Sequence, residues 1–342
     1  MATLDVFKAD AFSMMSMLAA IENIDYRPQF LGSLNLFDAE PQTTEVVSIE
    51  SRDNELALIP VSPRAAPLTE LSADKRKVRN FSTYRIAKGS TVDAHEVQNI
   101  RAFGSTSELE QVQDIVARRL ARITNDIELT WEHMRLGAVQ GLFLDADGST
   151  LVNFFTAFGV SQPPIVGFDF GSLGASEVRS LIEREIVRPM IRAAKGAFTQ
   201  GSRIIALVGD QFWDEFINHD AVRLTYLNYA AAAALREPTV FNTFSFAGVD
   251  WINYRGTDDN STVAIATDEA KFFPANAPGL FQVAWAPAEF IGDENRIGRP
   301  MTPLMLTDPS GRNAFARVEV YSYPLYMCTR PQVLYRARVS GT

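Results

Sequence analysis

The chain has 342 residues, 46% hydrophobic and 21% charged, with 41 acidic against 32 basic residues and a formal net charge of −9. That is ordinary globular composition, long enough for two lobes or one large discontinuous fold, and it excludes a disordered, collagenous or disulfide-scaffold protein. The acidic balance argues against a protein that grips nucleic acid, the single Cys328 cannot form an internal disulfide, and no apolar run reaches the ~18 residues of a membrane helix.

The N-terminal stretch carries Asp5 and Asp10 and no basic leader, so it does not read as a signal peptide and synthesis is expected in the cytosol. Phe12, Met15, Leu18 and Ile21 have helical spacing, which Arg27-Pro28 stops. Phe30, Leu31, Leu34, Leu36 and Phe37 follow as isolated apolar residues. A segment this apolar without a fold of its own lies against something else, either its own chain or a neighbouring subunit.

Alternation predicts strands over 44–49 and 56–61, joined at Arg52-Asp53-Asn54 as a hairpin. Residues 62–79 hold Pro63, Pro67 and the basic cluster Lys75, Arg76, Lys77 and Arg79, and read as an exposed loop. Residues 78–86 alternate again, so the region forms a long two-stranded excursion.

The clearest local signal is residues 107–140. Leu109, Val112, Val116, Leu120, Ile123, Ile127, Trp131, Met134 and Ala138 follow steps of three and four, the 3.6 period of a helix with one apolar stripe. Ser107 and Glu110 form an S-x-x-E capping box, and Gly137 and Gly141 mark the end. At 1.5 Å per residue the helix is ~50 Å long. Its other face carries Asp114, Arg118, Arg122, Glu128, Glu132 and Arg135, with Asp114 and Arg118 spaced as an i,i+4 ion pair. The period is nearer 3.6 than 3.5, so the stripe packs on a sheet rather than in a coiled coil.

Residues 142–144 and 151–155 flank an Asp-Gly turn as a second hairpin. Ser176 caps a helix over 177–195, which Pro189 kinks or splits. Residues 203–209 read as a buried strand, and Asp210 caps a helix through Asn218. A third helical stretch takes in 230–234 and ends at Pro238. Strands follow over 241–246 and 249–254, and strands dominate to the end, notably 314–323 and 333–339.

No catalytic or metal-binding pattern emerges. Asp145 and Asp147 open like an EF-hand loop, but Gly148 comes too early and Thr156 stands where the bidentate glutamate belongs. His95, His133 and His219 are far apart, and Gly171 and Gly174 fit no phosphate loop. Cys328 lies among strand residues and reads as core. Asn260-Ser261-Thr262 is a sequon in form only, and no nucleophile elbow is present.

Three stretches resemble the capsid protein E family, the phage lambda-like major capsid proteins of tailed phages. They are Pro41-Gln42-Thr43-Thr44-Glu45-Val46 with residues 57–63, the helix from Asp126-Ile127-Glu128-Leu129 to Gly141, and Tyr323-Pro324-Leu325-Tyr326-Met327 with Pro331. Cys328-Thr329-Arg330 departs from the acidic turn usual there. The resemblance implies an α+β, Hong Kong 97-like fold: an N-terminal arm (1–40), an extended loop with flanking strands (41–102), a spine helix and peripheral domain (103–176), an axial domain (177–310) and C-terminal peripheral strands (311–342).

The implied function is structural, not enzymatic, with no cofactor and no metal. Copies would self-assemble as hexamers and pentamers into an icosahedral shell in the virion, built in the host cytoplasm around double-stranded DNA. A separate scaffold protein is expected, since the arm begins almost at Met1, together with a portal and a decoration protein. Phe30, Leu34, Phe37, Lys75, Arg76, Lys77 and Arg79 are the implied contacts with neighbours or the decoration protein. Lys75 and Lys77 sit in a hydrated cationic cluster, which disfavours a Lys–Asn isopeptide weld. The spine-helix core would be Leu109, Val112, Val116, Leu120, Ile123, Ile127 and Trp131. The alternatives are an encapsulin-like compartment protein and, further off, a soluble α+β enzyme.

Overall fold

In the computed structural model, the described residues are 30–51, 77–93, 108–174, 176–223, 243–254, 264–293, 296–310 and 315–340, the side chains of 50, 51, 77 and 108–113 excepted. In chain order the elements begin with a one-turn helix α1 (Phe30–Ser33), strands β1 (Asp38–Pro41), β2 (Val46–Ser51), β3 (Lys77–Ser82) and β4 (Ile86–Asp93), and the long helix α2 (Glu108–Ala138). Next come β5 (Leu142–Leu144), β6 (Thr150–Asn153), α3 (Phe154–Phe158), β7 (Ile165–Phe168), α4 (Glu177–Leu181), a π-helical turn (Ile182–Val187), α5 (Arg188–Ala193), β8 (Arg203–Val208) and α6 (Asp210–Asn218). Strands β9 (Thr243–Phe246), β10 (Val249–Asn253), β11 (Glu269–Ala275), β12 (Phe281–Trp285), β13 (Thr302–Thr307), β14 (Phe315–Ser322), β15 (Pro324–Cys328) and β16 (Tyr335–Val339) complete them. The class is α+β.

Two cores meet along α2. Val116, Leu120, Ile123, Ile127, Trp131, Met134 and Ala138 are all buried, so the stripe read from the sequence packs as a stripe. Leu109 and Val112 lie on the same helix, their side chains outside the described set. The stripe faces the antiparallel sheet β13-β14-β4 and the sheet β1-β12-β15, where the Trp131 and Trp285 rings lie 5.0 Å apart. The second core covers the six-stranded sheet β7-β16-β11-β8-β10-β9. Every residue of β8 after Arg203 is buried, which is why this strand reads as a continuous apolar run rather than an alternation. Phe212 and Phe216 of α6 pack against Trp251 of β10. Gly209, between β8 and α6, admits no side chain: a Cβ there would stand 2.2 Å from the Ala266 carbonyl oxygen.

Several expectations are corrected. Residues 46–51 pair antiparallel with 77–82, Val46 opposite Ser82 and Ser51 opposite Lys77. The turn expected at 52–54 and the strand expected at 56–61 lie outside the described residues, and Lys77 and Arg79, expected in a loop, belong to a strand. The strand expected through Phe155 ends at Asn153, whose Oδ1 accepts from the Phe155 and Thr156 N–H groups at 3.0 and 3.3 Å and starts α3 instead. Ser176 stands at the N-cap position as expected, but Asp210 does not. Ser176 makes no side-chain capping bond, Gly174 N–H donating instead to Glu177 Oε2 at 2.8 Å, and α6 begins at Asp210 after an N-cap Gly209.

Pro189 stands at the start of a second α segment, Arg188–Ala193, after an interruption of the first. The chain widens to a π turn first, and the Arg188 N–H reaches the Glu183 carbonyl five residues back. Glu132, placed by the sequence on the polar face, is buried. The Asp114–Arg118 ion pair is replaced by a bond from Arg118 Nε to the Asp114 carbonyl at 3.2 Å. His95, Ser107, the helical stretch 230–234 and the sequon at 260–262 lie outside the described residues.

The sheets also cross the segment limits expected from the sequence. β7 and β16 join the six-stranded sheet of the 177–310 segment, while β12, within that segment, pairs with β1 and β15.

Candidate assembly surfaces

The one-turn helix α1 is tied to the long helix by one carboxylate. Glu132 Oε1 accepts from the Leu31 N–H at 2.7 Å and Oε2 from the Gly32 N–H at 3.1 Å. The Tyr254 hydroxyl donates to Oε1 at 3.3 Å, and Arg135 Nη1 lies 3.4 Å from Oε2. Burial raises the Glu132 carboxyl above the usual carboxylate range, against the lowering effect of the Leu31 N–H, the Arg135 charge and the Gly32 N–H. The same burial, with Glu132 beside it, raises the Tyr254 hydroxyl. The Arg135 guanidinium sits 5.3 Å above the Tyr326 ring.

Phe30, Leu34 and Phe37 pack on the core of their own chain, the first of the two alternatives open from the sequence. Phe30 meets Tyr254 edge to face at 6.2 Å, and Phe37 meets Phe281 and Tyr326 at 5.4 and 5.2 Å. Of the basic cluster, Lys75 and Arg76 lie outside the described residues, and Lys77 begins β3. Arg79 is engaged at the base of the hairpin: its Nη2 donates to the Phe158 carbonyl at 2.8 Å and its guanidinium lies 5.3 Å from the Phe158 ring centre. This fixes β3 against α3.

Between β1, β2 and the 278–280 and 327–332 segments runs an open groove of about 700 Å³, edged by Glu40, Arg79, Lys195 and Arg330. The free edge of β4 is partly covered by the long helix: Arg119 Nη1 donates to Ser90 Oγ at 2.6 Å and to the Thr91 carbonyl at 2.9 Å, and Lys88 pairs with Asp126 at 2.6 Å. Such covering blunts an otherwise open pairing edge.

Among the described residues no side-chain constellation resembles an active site. His133 Nε2 is 3.0 Å from the Asp145 carbonyl, and His219 Nε2 is 2.9 Å from the Leu173 carbonyl; the first ties the long helix, the second the end of α6, to a loop. Cys328 is fully buried in β15, and burial pushes its thiol up to about 12, so it is core rather than nucleophile. Among the described residues no cluster of His, Cys, Asp and Glu could hold a metal, and no helix is long and apolar enough to cross a membrane.

Glu132 was not legible as a site residue. No local signal marked it: Thr130, His133 and Arg135 keep this stretch of the helix mixed in polarity.

Comparison with known proteins identifies the family. The family described as phage major capsid protein E matches residues 13–339. The major capsid protein of Salmonella phage Felix O1 is 23% identical over 360 residues, covering 96% of this chain and 97% of that protein. A capsid-protein candidate from a prophage of E. coli CFT073 superposes with a TM-score of 0.60 at 12% identity, over 96% of this chain and 99% of the other. The mature capsid of bacteriophage PhiM1 gives 0.51 at 10% identity, over 93% and 89%.

Proposed function

The chain belongs to the phage major capsid protein E family, and on that premise we propose that its copies assemble as hexamers and pentamers into the icosahedral shell around the double-stranded DNA of a tailed phage. The family is structural: the protein is a component of the virion capsid and not an enzyme. The observation that carries the reading is the match over residues 13–339, which spans every described element. An enclosing compartment of non-viral origin is not favoured, because the family and the full-length relative are both phage capsid proteins.

The Hong Kong 97-like division follows as part of the proposal. Residues 1–40 are the arm, 41–102 the extended loop and its flanking strands, 103–176 the spine helix and peripheral domain, 177–310 the axial domain, and 311–342 the returning peripheral strands. Three features support it: the 31-residue α2, the β2–β3 pair leading into residues 52–76, and the separate core over the six-stranded sheet. Some sheet pairings cross these limits. β7 and β16 go with the axial sheet, and β12 goes with the strands against the spine.

A decoration protein, a separate scaffold and a portal complete the assembly in this reading. With Arg79 holding the base of the loop, the decoration contact falls to Lys75, Arg76 and Lys77, and a contact of that kind weakens with salt. Phe30, Leu34 and Phe37 root the arm on its own subunit.

Electron microscopy and sedimentation of the expressed chain, with a scaffold supplied, test the reading. Hollow shells are expected, and monomer alone at high concentration overturns it. Particles carrying DNA density and a portal vertex separate a virion from a compartment. Denaturing gels of mature particles should give one monomeric band; a ladder surviving boiling in reductant would mean welded subunits.

A further inference from the structure

The helix running from α4 through the π turn into α5 buries Val178, Ile182, Ile186, Met190 and Ala194, one residue in four. In a straight α-helix such a row would drift about 40° per step; the wider π turn offsets part of that drift and keeps the row on the core. Two residues along, about 200° around the helix, a second row of four-residue steps faces outward: Arg184, Arg188 and Arg192, all exposed. Arg184 and Arg188 keep exposed pairs with Glu185 and Glu183, at 2.7 and 3.6 Å, the kind that contributes little and rearranges readily. Arg192 has no ion-pair partner among the described residues.

The same lobe presents the opposite charge on the same pitch. α6 buries Phe212 and Phe216, and its outward row is Asp210, Asp214 and Asn218, all exposed. Neither aspartate has an ion-pair partner among the described residues. Asp210 meets the positive end of its helix; Asp214, a turn further on, has no such role. Residues four apart on a helix stand about 5–6 Å apart, so the two rows match in spacing. A chain of net charge −9 repels its copies overall, and close packing of copies needs local complementarity to offset this.

We propose that the Arg184–Arg188–Arg192 row of one copy docks on the Asp210–Asp214 row of the next, a head-to-tail contact that closes into a ring. A contact between two different surfaces of one chain generates rings when its rotation closes. The inference rests on the capsid reading above and names the surface through which the axial lobes of neighbouring copies recognise each other.

Charge reversal tests it in shells assembled by the full chain. Arg188→Glu with Arg192→Glu, or Asp210→Lys with Asp214→Lys, should each lower shell yield about tenfold or more while far-UV circular dichroism stays folded. All four changes in one chain should restore the yield, because every contact then carries the swapped signs. Wild-type yield from either pair, or no recovery in the fourfold variant, overturns the proposal. Intact shells that retain less DNA in the arginine variant also overturn it, since the row would then face a polyanion. If a reversal costs the fold, Arg192→Gln and Asp214→Asn replace it; the salt sensitivity of assembly should fall in both, and an unchanged sensitivity counts against the contact. A wild-type chain that forms no shells refutes the capsid reading itself, a separate outcome from these.

Discussion

Glu132 Oε1 lies 2.7 Å from the backbone nitrogen of Leu31, 101 residues earlier in the chain. The long helix thereby supplies the acceptor for the first turn of α1, whose own N–H groups have no intrahelical partner. Leu31 is fully buried against the same helix end, so one contact sets both the placement of α1 and its depth.

Removing that acceptor should loosen α1 more than any surface change. Glu132→Ala strands the Leu31 and Gly32 N–H groups and the Tyr254 hydroxyl in a buried site, at a cost of about 3 kcal/mol or more. Urea unfolding of the soluble chain measures the cost, and limited proteolysis should cut sooner near residue 30. A midpoint equal to the wild type would mean that the apolar contacts of Leu31 hold α1 unaided.

The same carboxylate sets a pH dependence. Its folded value is raised, chiefly by burial, above the ordinary 4.5. Its contribution to stability is therefore full below that ordinary value and is lost as pH rises through the raised one. Relative to Glu132→Gln, which stays neutral throughout, the wild type should lose stability as pH climbs from 4.5. Glu269 supplies the opposite control: burial raises it, but Lys271 and Arg338 outweigh burial and hold it low, so its contribution fades on acidification. Unfolding free energies of the two glutamine variants across acid pH should change with pH in opposite directions relative to the wild type.

Cys328 should be silent in the folded chain. Its thiol is fully buried and pushed up to about 12, so thiolate is scarce and access is closed. A maleimide added to native protein should label none of the chains within the time that labels all of them in denaturant, one label per chain. Rapid native labelling would show that β15 opens.

On the spine, Ile123→Asp places a charge in the α2 stripe, where Ile123 is 3% exposed. The cost should be several kcal/mol, about 3–5, enough to abolish soluble folding in a chain of ordinary stability. Arg122→Ala, one residue away on the exposed face, should stay within about 0.5 kcal/mol in the isolated subunit. Thermal unfolding of the pair gives the contrast, and equal losses would mean the helix is turned the other way.

The long helix was legible in the sequence because its code is local. A period of 3.6 residues kept from Leu109 to Ala138 has one solution, a single apolar face, and every residue the period selects from Val116 onward is buried. β8 was legible for a similar reason, as an apolar run too short for a helix. The Asp-Gly hairpin was legible from its turn residues. Strand partners were not. β2 alternates equally well whichever strand it meets, and only long-range pairing joined Val46–Ser51 to Lys77–Ser82. Pro189 announced a break, because proline lacks the N–H that an α-helix needs, yet the tertiary core rewarded a wider turn that kept the apolar row buried. Glu132 reads as one more surface carboxylate on a helix; its role exists only because Leu31, Gly32 and Tyr254 are brought to it from distant parts of the chain. Local periodicity is written in neighbouring residues, whereas a partner for a buried carboxylate is chosen by packing, and packing is settled only when the whole chain has closed on its two cores.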